Sequence, residues 1–146
     1  MYNRKYSVAL KLLALILAVV FVIPVNINAQ ELRASDYLSS YNAYPYAAGA
    51  GKVQIWFTVK GTRAMDDIGA LTIQVYESTD NTNWTWVQSY SNANYPRMLG
   101  HDTVYYSGHV DYQGRTGRYY KAYVCLWAGK DGGGDTRYFW TGSVMA

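Results

Sequence analysis

The sequence predicts an all-β fold, an antiparallel two-sheet sandwich of about seven strands in one domain. Three observations carry this. After residue 34 there is no helical periodicity, and apolar residues alternate with polar ones at period two. The alternating runs are rich in Val, Ile, Thr, Tyr and Trp and are separated by clusters of Gly, Asn, Asp and Ser. The connections are too short for the crossover that a parallel pair requires.

Each expected strand follows from its own pattern. Residues 35–46 are polar and tyrosine-bearing, and Pro45 suits an edge position. Residues 47–51 are small and turn the chain. In 52–60, Val53, Ile55, Phe57 and Val59 point one way, toward the core, and Gln54, Trp56, Thr58 and Lys60 the other. Residues 70–78 repeat this with Leu71, Ile73 and Val75 inward. Residues 79–83 form a polar turn before a strand at 84–90. Residues 91–102 lack a pattern and read as a loop. A strand at 103–112 places Val104, Tyr106, Val110 and Tyr112 on one face. After a turn at 113–117, residues 118–128 form a long strand with Tyr120, Ala122, Val124, Leu126 and Ala128 inward. The glycine-rich 129–135 turns the chain, and 136–145 closes the domain.

The first thirty residues have a different character. Arg4, Lys5 and Lys11 precede an unbroken apolar run, 12–23, which Pro24 ends. Ala29 is a small residue at a suitable cleavage position, and Ala34 is a second one. This is the three-part layout of a secretory signal peptide. The division is therefore a signal peptide at 1–29 and a β-domain at 30–146. A retained membrane anchor needs about 20 apolar residues, and this run reaches that length only by burying Lys11. The expected location is secreted or in the cell envelope.

Charge and cysteine content exclude other classes. The chain carries 13 Lys and Arg against 10 Asp and Glu, but the excess lies in the first eleven residues. From Gln30 onward there are 10 of each sign, so no basic patch speaks for nucleic acid or, after cleavage, for a membrane surface. A single cysteine excludes an intrachain disulfide and a cysteine-rich zinc cluster. The domain must hold together by its core, and an exported chain without cysteine pairs suggests a bacterial envelope or extracellular protein.

The segment Gly117-Arg118-Tyr119-Tyr120, followed by Ala122, Val124 and Leu126, resembles the tyrosine corner that leads into strand F of immunoglobulin and fibronectin type III domains. The resemblance implies a sandwich of that type and a hydroxyl of Tyr120 bonded to nearby backbone. The disulfide and core tryptophan of antibody domains have no counterpart, which places the likeness with the disulfide-free branch. The whole chain is also similar to small exported bacterial proteins of Gram-positive type, a resemblance that carries no activity with it.

Candidate chemistry is sparse. His101 and His109 lie near Asp102, Asp111 and Ser107, yet no G-x-S-x-G elbow is present and both glutamates are isolated. Ser107 and His109 read as a solvated strand face. The turns holding Asp66 and Asp67, Asp80, and Asp131 and Asp135 have too few carboxylates for a calcium loop and read as solvated turns. Cys125 reads as an unreactive thiol packed among aromatics. No catalytic residue, metal or cofactor is assigned, and a hydrolase using a histidine with a nearby aspartate is the alternative class.

The aromatic content is the anomaly. Tyr76, Tyr119, Tyr123 and Trp127 point outward on strands expected to be neighbours, and these four are the candidate ligand-binding residues. The last strand flanks them with Phe139, or with Tyr138 and Trp140, depending on register. Trp84 and Trp86 lie on the other side. Three readings follow: tyrosine ladders that stabilise the sheet, a face that stacks on cell-wall or extracellular glycan, and a protein or homotypic interface. The expected function is a non-enzymatic binding module, with a structural envelope component as the alternative.

Overall fold

A computed structural model describes residues 35–146. The leader and its cleavage point fall in 1–34, outside the described residues. Among the described residues no helix is long and apolar enough to cross a membrane. The strands are β1 (Leu38–Gly49), β2 (Lys52–Ser78), β3 (Thr85–Ser91), β4 (Leu99–Gln113), β5 (Tyr119–Lys130), β6 (Gly133–Trp140) and β7 (Val144–Met145). One 3-10 turn, Pro96–Met98, precedes β4. All pairings are antiparallel, and the seven strands form one sheet curled into a half-barrel.

The two strands expected at 52–60 and 70–78 are one strand of 27 residues. Its first half runs between β1 and β4. Its second half runs between β3 and β5, and β5 in turn carries β6 and β7. A bulge lets β2 advance from Lys60 to Met65 while β4 moves only from Tyr105 to Thr103. Extra residues on one strand bend it and increase its twist, so the two halves turn toward a shared core.

Strand alternation places that core. Val53, Ile55, Phe57, Val59, Ile73, Val75, Tyr120, Ala122, Val124, Leu126 and Ala128 are all fully buried in one cluster. Two inward expectations differ. A second bulge between Ala70 and Thr72 puts Ala70 in the core and leaves Leu71 half-buried. Val104 is exposed because it stands opposite the first bulge, without a β2 partner.

Several boundaries shift as well. The unpatterned 91–102 contains the 3-10 turn and the start of β4. The glycine-rich turn narrows to Asp131-Gly132, with φ of 53° and 79°, and β6 starts at once. Positive φ at both central residues is the signature of a tight hairpin. The last expected strand is broken at Thr141, whose hydroxyl accepts the Ala122 N–H at 2.9 Å.

Two buried tyrosines pin the halves together. The Tyr120 hydroxyl donates to Glu77 Oε2 at 2.5 Å and accepts the Arg115 N–H at 2.7 Å. The Tyr90 hydroxyl donates to the Asp111 carbonyl at 2.6 Å. Burial foremost pushes both phenols up to about 12, with Glu77 adding to the effect at Tyr120 and Tyr95 at Tyr90. An unfolded tyrosine titrates near pH 10. A folded value above the unfolded one means that this stabilisation is complete below about pH 10 and is lost as pH rises through about 12. Phenolate absorbance followed against pH should show two tyrosines that ionise only as the protein unfolds. Reversible titration of every tyrosine near pH 10 in the folded protein would refute this.

Candidate functional site

The outer face of the second half of β2 and of β5 and β6 is aromatic. Register explains how. Gln74 of β2 is opposite Tyr123 of β5, and Tyr123 is opposite Trp140 of β6. Thr72, Cys125 and Tyr138 form the next row, and Trp86, Tyr76 and Lys121 the row on the other side. Residues directly opposite each other share a face. The register question at the last strand is thereby answered: Phe139 packs toward the core, while Tyr138 and Trp140 face out.

The rings touch in a chain. Tyr138 stacks on Tyr123 at 6.2 Å between centroids, Tyr123 meets Trp140 at 5.0 Å, and Trp140 meets Tyr76 edge-on at 4.8 Å. The Lys121 ammonium lies 4.3 Å from the Trp84 ring centroid and 4.4 Å from that of Trp140. Such a cation favours the ring faces and holds both indoles in place. The Tyr76 hydroxyl donates to Gln74 Oε1 at 3.3 Å. Despite these contacts, Trp86, Tyr138 and Trp140 remain 56%, 61% and 48% exposed.

Of the four residues singled out from sequence, Tyr76 and Tyr123 belong to this ring chain. Tyr119 is half-buried at the far end of β5, paired with Ser78 and Met145. Trp127 leans the other way. Its ring lies over the bare backbones of Gly129 and Gly134, and a Cβ on Gly129 would stand 2.5 Å from Trp127 Cζ2. Neither Tyr119 nor Trp127 makes a ring contact with the chain. Lys121, Gln74, Tyr138 and Trp140 are members that sequence reading passed over or left unresolved. Cys125 is buried beneath this face, and burial pushes its thiol pKa up. An elevated pKa leaves little nucleophilic thiolate at neutral pH.

The first half of the sheet also has an aromatic outer face. Tyr44, Trp56 and His109 lie in one row across β1, β2 and β4. Trp56 stacks on His109 at 4.4 Å. Trp56 Nε1 donates to Gln54 Oε1 at 3.1 Å, and Gln54 Nε2 donates to Asp111 Oδ1 at 2.9 Å. Lys52 Nζ is 3.3 Å from Asp111 Oδ2. These contacts, with the Gln54 bond foremost, lower the Asp111 pKa.

Other titratable groups lie in exposed pairs or close local turns. His101 Nδ1 is 2.7 Å from Asp67 Oδ1, rather than from the adjacent Asp102. His109 Nε2 is 3.8 Å from Asp111 Oδ1. The Ser107 hydroxyl bonds the Phe57 carbonyl, not a histidine. Asp66 accepts from Lys130 Nζ and from the Asp131 N–H, which together lower its pKa and tie the β5–β6 turn to β2. Asp80 closes its own turn by accepting the Thr82 and Asn83 N–H groups, and these bonds hold its carboxyl well below the usual range. Among the described residues no group of three or more His, Cys, Asp or Glu is placed to hold a metal.

No protein-family model matches the chain, and no curated protein matches it. Two solved structures show a likeness. One is the sporulation control protein Spo0M from Bacillus subtilis, with 10% identity over 70% of this chain and 47% of that one, at a TM-score of 0.40. The other is a family 76 glycoside hydrolase from a bovine Bacteroides thetaiotaomicron strain, with 16% identity over 75% of this chain and 20% of that one, at a TM-score of 0.32. The chain thus matches less than half of the length of the first and a fifth of the second.

Proposed function

We propose that the protein is an exported, non-enzymatic binding module whose aromatic sheet face stacks on glycan. The observation that carries this is the ring chain Tyr138–Tyr123–Trp140–Tyr76, with the Lys121 ammonium seated between Trp84 and Trp140. Flat rings bind the apolar faces of pyranoses, and a few fixed polar groups set orientation. Lys121 and Gln74 supply a donor and an acceptor within the ring cluster. Tyr119 and Trp127 would border the bound chain rather than form its platform. Export rests on the basic, apolar and small-residue order of the first thirty residues. The partner is cell-wall or extracellular polysaccharide, and the location is outside the cytoplasmic membrane.

We also propose that the curled sheet is a variant of the two-layer immunoglobulin or fibronectin type III sandwich. Two features support this reading. One hydrophobic cluster draws on both halves of β2, and Tyr120 bonds backbone five residues upstream. The continuity of β2 through both halves is the departure from that pattern.

Binding to arrayed glycans and to purified cell-wall polysaccharide tests the function. Trp140→Ala should lower affinity tenfold or more, while leaving the unfolding midpoint nearly unchanged, as for other exposed positions. Trp127→Ala should weaken binding less. No saturable binding by the parent protein, or equal binding by Trp140→Ala, would overturn the glycan reading. Dimerisation in sedimentation experiments that Trp140→Ala abolishes would replace it with a homotypic interface.

A further inference from the structure

The free edge of β4 has an open window. Antiparallel pairs alternate between residues that hydrogen-bond the partner strand and residues whose backbone groups point away. The Gly114 N–H donates to the Gly51 carbonyl, which fixes the phase. The even-numbered residues of this half of β4 therefore bond β2, and Tyr105, Ser107, His109 and Asp111 direct N–H and C=O to the free edge. Both ends of that row are already closed. Thr103 Oγ1 donates to the Tyr105 carbonyl at 3.1 Å and accepts the Tyr105 N–H at 3.4 Å. Tyr90 donates to the Asp111 carbonyl. Between these caps, both backbone groups of Ser107 and of His109 and the N–H of Asp111 have no partner among the described residues.

The window lines a cleft of about 450 Å³. Its floor is residues 107–111, and Tyr90, Tyr95, Arg97 and Met98 form the opposite wall. That wall is tied down. The Tyr106 hydroxyl donates to the Arg97 carbonyl at 2.6 Å, and Tyr95 packs edge-on against Tyr90 at 5.1 Å. With Tyr90, Tyr95, Arg97 and Met98 lining the same cleft as the β4 edge, the space favours a single extended chain over the edge of a second folded sheet. Arg97 is exposed and has no ion pair among the described residues.

We propose that this cleft binds an extended peptide of about three to five residues, which adds a short strand to β4 and sets an acidic side chain against Arg97. Main-chain bonds to Ser107, His109 and Asp111 supply affinity, and the Arg97 guanidinium selects charge. The site is separate from the aromatic face of β5 and β6, so failure of either leaves the other standing.

Capped pentapeptides of valine and threonine with a central glutamate, titrated into the full-length protein, test this. The expected result is saturable binding with NMR shifts at the Ser107, His109 and Asp111 amides. Two N-methylated forms, each blocking one edge of the peptide, should differ: one loses at least tenfold in affinity and the other binds. A central lysine should bind at least tenfold more weakly, and Arg97→Glu should reverse that preference. Absence of saturation, equal binding by both N-methylated forms, or shifts confined to the β5–β6 face would overturn the proposal. Protection of these amides by dimerisation of the protein alone would also overturn it.

Discussion

Gly69→Ala is expected to lower the unfolding free energy by about 3 kcal/mol or more. Gly69 lies where β2 passes between two strands, paired with Leu99 of β4 and with Trp127 of β5. Its φ is +150°, which side-chain-bearing residues rarely adopt. An added Cβ would fall within the contact surface of the Met98 carbonyl oxygen and 3.1 Å from Leu99 Cα. Both are backbone atoms, so no rotamer change relieves the clash. The 3-10 turn would have to retreat, and the buried Met98 side chain would go with it. Gly117→Ala is the control: φ is +77°, but nothing stands within 4 Å of the new Cβ, so strain alone applies, at about 1 kcal/mol. Denaturant midpoints at constant slope measure both. A loss below about 1 kcal/mol for Gly69→Ala would show that the turn yields easily.

Phe57→Ala is expected to cost about 3–5 kcal/mol, toward the top of that range. The ring is fully buried, and its cross-strand neighbours are Ala43 on β1 and Gly108 on β4. Gly108 has no side chain because the ring occupies that space: a Cβ there would stand 2.7 Å from Phe57 Cζ. Small neighbours have no atoms to move into a cavity, so the void would persist. Among the described residues the ring pair alongside is with Tyr106, at 6.2 Å between centroids, whose hydroxyl donates to the Arg97 carbonyl. Phe57→Leu, which keeps part of the buried volume, should cost clearly less than Phe57→Ala. Equal stability of the two variants in chemical denaturation would contradict this account of the packing.

Much of the fold was legible because alternation reports which face each side chain takes. Val53, Ile55, Phe57 and Val59, and the inward set of β5, are buried as their parity requires. Alternation does not say which strand lies alongside. The joining of the second and third expected strands into β2 depends on distant β4 and β5, and residues 61–69 carry no local sign of pairing. The stacking of Trp56 on His109 and the seat of Lys121 between two tryptophans were invisible for the same reason. Trp127 is instructive. Its outward parity was readable, but its lean was decided by the space left above Gly129 and Gly134. The cleft beside β4 had no sequence signal, because its donors and acceptors are main-chain groups that every residue possesses.

The continuity of β2 has a temporal consequence. Its hairpin partners β1 and β3 lie next to it in sequence, but β4 and β5, which flank its buried length, come late in the chain. Contacts between distant segments are slow to form, because loop closure must precede the gain from pairing. A nascent chain is therefore limited to the hairpins of β1 and β3 with β2 until β4 has emerged, and lacks the inward side chains of β5 until residues 119–130 follow. The shared core, which takes side chains from β5, can thus close around its central ribbon only late in synthesis.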